Sequence, residues 1–152
     1  MKEHLSCRIL KVSLYVIFAF GILGTLTLPF MLDYYTRYFY DAYNMVPGYR
    51  SFILGFLIAV AIPGLWIIWE MILMMRSIAQ GPFVIRNVHA LNRIGVILLV
   101  ISALFFAKVV YYFTFLTMAC GFLFIVFGFF AFTLSSLFRQ AVSYKEENDL
   151  TI

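Results

Sequence analysis

Long uncharged stretches dominate the first half of this chain. Residues 12–32 carry no formal charge, and neither do residues 51–69. About 20 apolar residues are needed for a helix to cross the hydrocarbon core of a bilayer, and a charge at the centre of that core is costly. The pattern therefore predicts membrane-spanning helices over about residues 12–32 and 51–75.

The second half of the chain contains a longer apolar run. Residues 94–138 carry a single charge, that of Lys108. This run is too long for one crossing and sufficient for two with a short turn, so we predict a third span near 94–111 and a fourth near 118–138. The chain is then one all-α domain over residues 1–152, an integral membrane four-helix bundle.

Basic residues flank these spans unevenly, and this indicates an orientation. Eight of the eleven Lys and Arg residues fall on the side that holds both ends of the chain, and three fall on the other side. Positively charged flanks stay on the cytoplasmic side of a membrane. We therefore predict that the N-terminus and the C-terminus are cytoplasmic, with an outer loop at 33–50, a cytoplasmic loop at 76–93 and a cytoplasmic tail at 139–152.

Composition narrows the classes of function. The chain is 64% hydrophobic and 12% charged, whereas a soluble domain is about 45–50% apolar and about 25% charged. A secreted disulfide scaffold, a disordered tail and a basic nucleic-acid binder of the usual kind are excluded. The net charge of +4 is first a matter of membrane topology, so we expect the lipid bilayer as a partner and no direct contact with nucleic acid.

The predicted outer loop, residues 33–50, holds six of the ten tyrosines. Tyrosine concentrates at membrane surfaces because its ring is apolar and its hydroxyl is polar. The loop is either an interfacial anchor that fixes the depth of the first two spans or a recognition surface for an outside ligand.

Two ionisable residues fall inside the predicted spans. Glu70 lies six residues before Arg76, so we expect it near the inner headgroups, either paired with a cytoplasmic-side arginine or acting as a proton or cation site. Lys108 lies near the outer end of the third span, where it either extends to the headgroups or faces a polar site inside the bundle. No other Asp, Glu or His falls in a span, which weighs against a pump or carrier.

Sequence signatures of catalysis are missing from the chain. His4 and His89 lack the spacing of a metal-binding pair, and no nucleophile elbow, phosphate-binding loop or dinucleotide glycine motif occurs. We expect no enzyme activity, no catalytic residue, no cofactor and no metal.

Small residues recur at four-residue spacing inside the spans, which lets helix backbones approach closely. The pairs are Gly21 with Thr25, Gly55 with Ala59, and Ala131 with Ser135. These faces serve either packing within the bundle or formation of a homo-oligomer.

The predicted cytoplasmic loop has a basic face. Asn87 is a candidate cap for a short helix before the third span. Arg86, His89 and Arg93 are spaced by three and four residues, which places them on one side of that helix. This side is a candidate contact for anionic lipid headgroups or for a cytoplasmic protein.

Two stretches carry a family resemblance. They are Gly81, Pro82, Phe83, Asn87, Leu91, Arg93, Ile94 and Gly95 in the loop, and Glu147, Asn148, Asp149, Leu150, Thr151 and Ile152 in the tail. In these positions the chain resembles the small four-span bacterial membrane proteins of domain-of-unknown-function family 2975. The chain departs from the family at Asn92, where a basic residue is usual, and has one residue fewer between Gly81 and Pro82. The resemblance implies a multi-pass protein of the bacterial inner membrane.

The resemblance also implies a partner, because members of the family are often encoded beside a small helix-turn-helix regulator. Independently of the resemblance, the sequence of the tail indicates a docking element. Leu150 and Ile152 are apolar, end an acidic segment and are spaced as in an extended peptide. We therefore predict a regulatory or sensory protein whose cytoplasmic loop and acidic tail bind or sequester that regulator. The candidate partner-binding residues are Arg86, His89, Arg93, Glu146, Glu147, Asp149, Leu150 and Ile152.

Two other classes of function stay open. A small transporter or channel would use Glu70 and Lys108 to line a path. A membrane scaffold or immunity-type protein would pack its small-residue faces against another membrane complex.

Overall fold

Four long helices make up nearly all of the chain that the structure describes. The computed structural model describes residues 5–38, 48–77 and 84–150, apart from the side chains of residues 6, 35–38, 149 and 150. The helices are α1 (Leu5–Tyr38), α2 (Tyr49–Ser77), α3 (Ile85–Tyr111) and α4 (Phe115–Leu150). Each contains an apolar stretch long enough to cross a membrane. The predicted all-α, four-helix membrane architecture is confirmed.

The helices are longer than the apolar spans predicted for them. The largest differences are at the end of α4, which runs to Leu150, and at the start of α3, which begins at Ile85. A charged residue marks the edge of the hydrocarbon core but does not by itself end a helix, because Lys, Arg and Glu are good helix formers. Polar residues such as Arg139 and Lys145 therefore continue α4 without a break.

Extensive packing joins consecutive helices, and each pair is antiparallel. In the α1–α2 pair, Tyr15 meets Arg76 at one end and Asp33 pairs with Arg50 at the other. The α2–α3 pair is joined by contacts at its two ends in the same way. The α3–α4 contact is the most extensive of the three, so the bundle is built from hairpins in chain order.

The α3–α4 seam repeats every seven residues. Ser135 Oγ donates a hydrogen bond to the Val88 carbonyl at 3.0 Å, and Ser102 Oγ donates one to the Gly121 carbonyl at 2.8 Å. Midway between them, a Cβ built on Gly128 would lie 3.3 Å from the carbonyl oxygen of Gly95. Small residues at this spacing let the two backbones approach closely along the whole seam.

The loop between α2 and α3 differs from the prediction. Asn87 does not cap a short helix, because α3 begins at Ile85 after an extended Val84 and runs without interruption into the third span. The Asn87 side chain instead accepts a hydrogen bond from Ser77 Oγ, and both residues are buried. A buried amide needs a hydrogen-bond partner, and here that requirement outweighs the preference of Asn for a helix N-cap. Residues 78–83 lie outside the described part of the chain.

The turn between α3 and α4 is short and contains neither Gly nor Pro. It comprises residues 112–114, and the Tyr112 N–H closes the end of α3 by donating to the Lys108 carbonyl at 2.8 Å. Half of the tyrosine-rich outer loop, residues 39–47, lies outside the described residues, so its two interpretations stay open.

Candidate functional site

A buried carboxylate lies where α2 and α3 meet, toward the end of the bundle predicted to be cytoplasmic. Glu70 is 3% exposed, and its neighbour Ile72 is fully buried. Arg93 Nε lies 3.1 Å from Glu70 Oε1, and Trp66 Nε1 approaches the same oxygen at 3.4 Å. Glu70 therefore has the arginine partner expected for it, and that partner comes from the neighbouring helix.

The second oxygen of this carboxylate is unsatisfied. Glu70 Oε2 is buried and has no hydrogen-bond partner among the described residues. A buried acceptor without a partner costs about 1–3 kcal/mol, and more when the group is charged. The charge of Glu70 consequently depends on Arg93 for its compensation.

Arg76, the nearest arginine to Glu70 in sequence, binds a different helix. Its Nε donates to the Tyr15 hydroxyl at 2.9 Å, and its guanidinium carbon lies 5.7 Å from the centre of the Tyr15 ring. Arg76 thus ties α2 to α1 at the level where Arg93 ties α3 to α2. The two arginines together connect three helices.

An open groove lies beside the Glu70–Arg93 pair, and we call it the basic groove. It encloses about 760 Å³. Its walls are formed by Trp66 of α2 and, on α3, by Ile85, Arg86, His89, Asn92, Arg93, Val96 and Ile97. The structure thus brings together the three basic residues predicted on one face, Arg86, His89 and Arg93, and adds Trp66 from α2.

Lys108 is far from this groove. Its Nζ donates to Thr117 Oγ1 at 2.7 Å and to Thr114 Oγ1 at 3.3 Å, so it holds the turn between α3 and α4. Fifteen residues separate Lys108 from Arg93, which is about 22 Å along the helix axis. Glu70 and Lys108 therefore do not share one site.

The acidic tail is helical. Val142 is buried, whereas residues 143–148 are all exposed, including Glu146 and Glu147. The backbone is helical through Leu150, so the extended conformation expected at that residue is wrong. The side chains of Asp149 and Leu150, and all of Ile152, lie outside the described residues.

No metal-binding cluster occurs in the described ranges 5–38, 48–77 and 84–150, where no three His, Cys, Asp or Glu side chains come together. Cys7 and Cys120 are both free thiols.

Comparison with known sequences identifies the family. A family model described as Protein of unknown function (DUF2975) matches residues 15–152. The chain belongs to DUF2975. The family predicted from the loop and the tail is thus confirmed, and with it a multi-pass membrane protein. No curated protein and no solved structure matches this DUF2975 chain.

Sequence reasoning about this DUF2975 protein missed two members of the site. Trp66 precedes Glu70 by four residues, which places the two on the same face of a helix, and this spacing was available in the sequence. Tyr15 lies 61 residues from Arg76, and no local pattern connects them.

Proposed function

We propose that this DUF2975 protein is a regulatory protein of the bacterial inner membrane that holds a small helix-turn-helix regulator at its cytoplasmic face. One observation carries the proposal: the end of α4 is an exposed helix that leaves the bundle after Val142. Eight residues, 143–150, continue this helix for about 12 Å. An ordered, exposed helix of this kind is a common docking element for a protein partner.

The charge of this helix suits a DNA-binding partner. Glu146, Glu147 and Asp149 are acidic, and DNA-binding proteins present Lys and Arg to neutralise phosphates. An acidic helix on those cations would compete with DNA, so that the regulator binds either the membrane protein or its operator. Because the contacts are exposed ion pairs, we expect capture to weaken as salt rises.

The experiment is capture, by the full-length protein in detergent, of a small helix-turn-helix regulator of the kind often encoded beside members of the family. We expect deletion of residues 146–152 to abolish capture. The triple substitution Glu146→Gln, Glu147→Gln, Asp149→Asn should reduce capture about tenfold, since exposed pairs contribute about 0.2–1 kcal/mol each.

The matched control changes the opposite charges of the same helix. Arg139→Gln with Lys145→Gln should leave capture unchanged or strengthen it. Equal capture by the full-length and deleted proteins, or capture by neither, would refute the proposal.

The two alternative functions have less support. Among the described residues, Glu70 is buried against Arg93 and Lys108 binds Thr114 and Thr117, so neither supports a transport path. A scaffold that binds through small-residue faces would have Gly55 available, which is exposed, whereas Ala131 and Ser135 are already buried against α3.

A further inference from the structure

The basic groove changes in polarity along α3. Arg86 and His89 lie near the start of the helix beside one apolar residue, Ile85; Asn92 and Arg93 follow, and beyond them the lining is apolar. Arg93 is also the last charged residue before the long apolar run of the third span. The groove therefore begins at the membrane surface and ends in the hydrocarbon region.

The polar end of the groove has unused binding capacity. Within the described residues, neither Arg86 nor His89 makes a hydrogen bond or ion pair, and both side chains are exposed. Arg93 is engaged by Glu70 on one side, but its side chain is 55% exposed. A guanidinium carries five donors, so Arg93 can bind Glu70 and a second anion together.

The apolar end of the groove has a different surface. Val96 and Ile97 continue the α3 wall, and the exposed Trp66 faces them from α2. Indole rings favour the membrane interface because they are largely apolar and carry one N–H donor. Acyl chains fit this end of the groove, and a soluble anion would leave it unfilled.

We propose that the basic groove binds one anionic phospholipid from the adjacent leaflet, with the phosphate on Arg86, His89 and Arg93 and the acyl chains along Val96, Ile97 and Trp66. The order of polar and apolar lining along the helix is the order of headgroup and chain in a lipid. The groove volume of about 760 Å³ lies within the range of about 300–1,000 Å³ that is typical of small-molecule sites. Basic pockets between membrane helices are known to take acidic headgroups.

The two tryptophans of the protein permit a local test. Trp66 lines the groove, whereas Trp69 packs against Phe18 of α1 with 5.7 Å between ring centres. A Trp69→Phe protein therefore reports on the groove alone, and a Trp66→Phe protein reports on a site outside it. Both are reconstituted in phosphatidylcholine vesicles that contain a small fraction of a lipid with brominated acyl chains, which quenches nearby tryptophan fluorescence.

The expected result is selective quenching of Trp66. Brominated phosphatidylglycerol should quench Trp66 at a mole fraction at least about fivefold lower than brominated phosphatidylcholine does, because one basic residue contributes about that factor toward an acidic headgroup. Trp69 should show no such preference. Introduced into the Trp69→Phe protein, Arg86→Gln with His89→Gln should remove the preference of Trp66 for the acidic lipid. Quenching by brominated phosphatidylcholine should be unchanged in this variant, which also confirms that the protein is inserted in the vesicles.

The matched control is Arg8→Gln with Arg139→Gln, two exposed basic residues toward the same predicted membrane face but outside the groove. This variant should keep the preference of Trp66 for the acidic lipid. Equal quenching by the two lipids, an equal preference at Trp69, or loss of the preference in the control would overturn the proposal. Deletion of residues 146–152 should leave the preference intact, so the lipid site and the regulator are tested separately.

Discussion

At the scale of single residues, the Glu70–Arg93 pair is unequal. The side chain of Glu70 is 5% exposed, whereas that of Arg93 is 55% exposed. Without its partner, the Arg93 side chain can turn to lipid headgroups or water, whereas the buried Glu70 carboxylate cannot reach them. A buried charge without compensation costs far more than a surface charge without a partner.

This inequality predicts unequal mutational effects. We expect Arg93→Gln to lower the free energy of unfolding by about 3 kcal/mol, because it strands the Glu70 charge. Glu70→Gln should cost about 1 kcal/mol, since the amide keeps a buried hydrogen-bonding group without a charge. The double variant should be close to Glu70→Gln alone. Unfolding of the purified proteins in detergent measures all three, and equal losses for the two single variants would contradict the argument.

At the scale of helices, the α3–α4 seam depends on glycine. A Cβ on Gly95 would lie 2.8–3.0 Å from the ring atoms of Phe132, closer than packed atoms tolerate. The ring is partly enclosed, so relief requires the Phe132 ring to move or the two helices to separate. Gly24 of α1, by contrast, has nothing within 4 Å of the same position.

Alanine at these two glycines should therefore have opposite effects. Gly95→Ala is expected to destabilise the protein by about 1–3 kcal/mol through overpacking. Gly24→Ala should leave stability unchanged or raise it, because alanine is the better helix former. Thermal unfolding of the two variants beside the wild type is the measurement. A loss at Gly24 as large as that at Gly95 would show that the seam is not the cause.

At the scale of the whole molecule, the protein is an apolar bundle with polar ends. Large apolar side chains cover the outside, among them Phe20, Leu26 and Phe130. Such a surface is stable in lipid and not in water. The uneven distribution of Lys and Arg then predicts that both chain ends face the cytoplasm.

Thiol labelling in intact cells tests this orientation. In a protein with Cys7→Ser and Cys120→Ser, a cysteine is introduced at Phe113 in the exposed α3–α4 turn or at Ser143 on the exposed end of α4. We expect a membrane-impermeant maleimide to label Phe113→Cys in intact cells and Ser143→Cys only after permeabilisation. The reverse pattern would invert the predicted topology.

The sequence predicted the number and apolar character of the helices because charge and span length are local properties. It also singled out Glu70 and the basic face that now lines the groove. It did not predict which arginine pairs with Glu70, because that depends on the register between α2 and α3. The pairing of Ser77 with Asn87 depends on the same register, so the sequence did not predict it either.

The sequence predicted part of the α3–α4 seam. The spacing of Ala131 and Ser135 predicts close helix packing, but the seven-residue repeat of Gly121, Gly128 and Ser135 describes the seam better. Two periodicities overlap here, and only contact with α3 distinguishes the face that is used.

The packing of consecutive helices has a consequence for biosynthesis. Each helix after the first packs against the helix translated immediately before it, so contacts are short-range in sequence and chain closure is inexpensive. The bundle can assemble hairpin by hairpin while the ribosome is still adding residues. Because α4 follows α3 in the chain, we expect the α3–α4 contact, the most extensive of the three, to form after the other two.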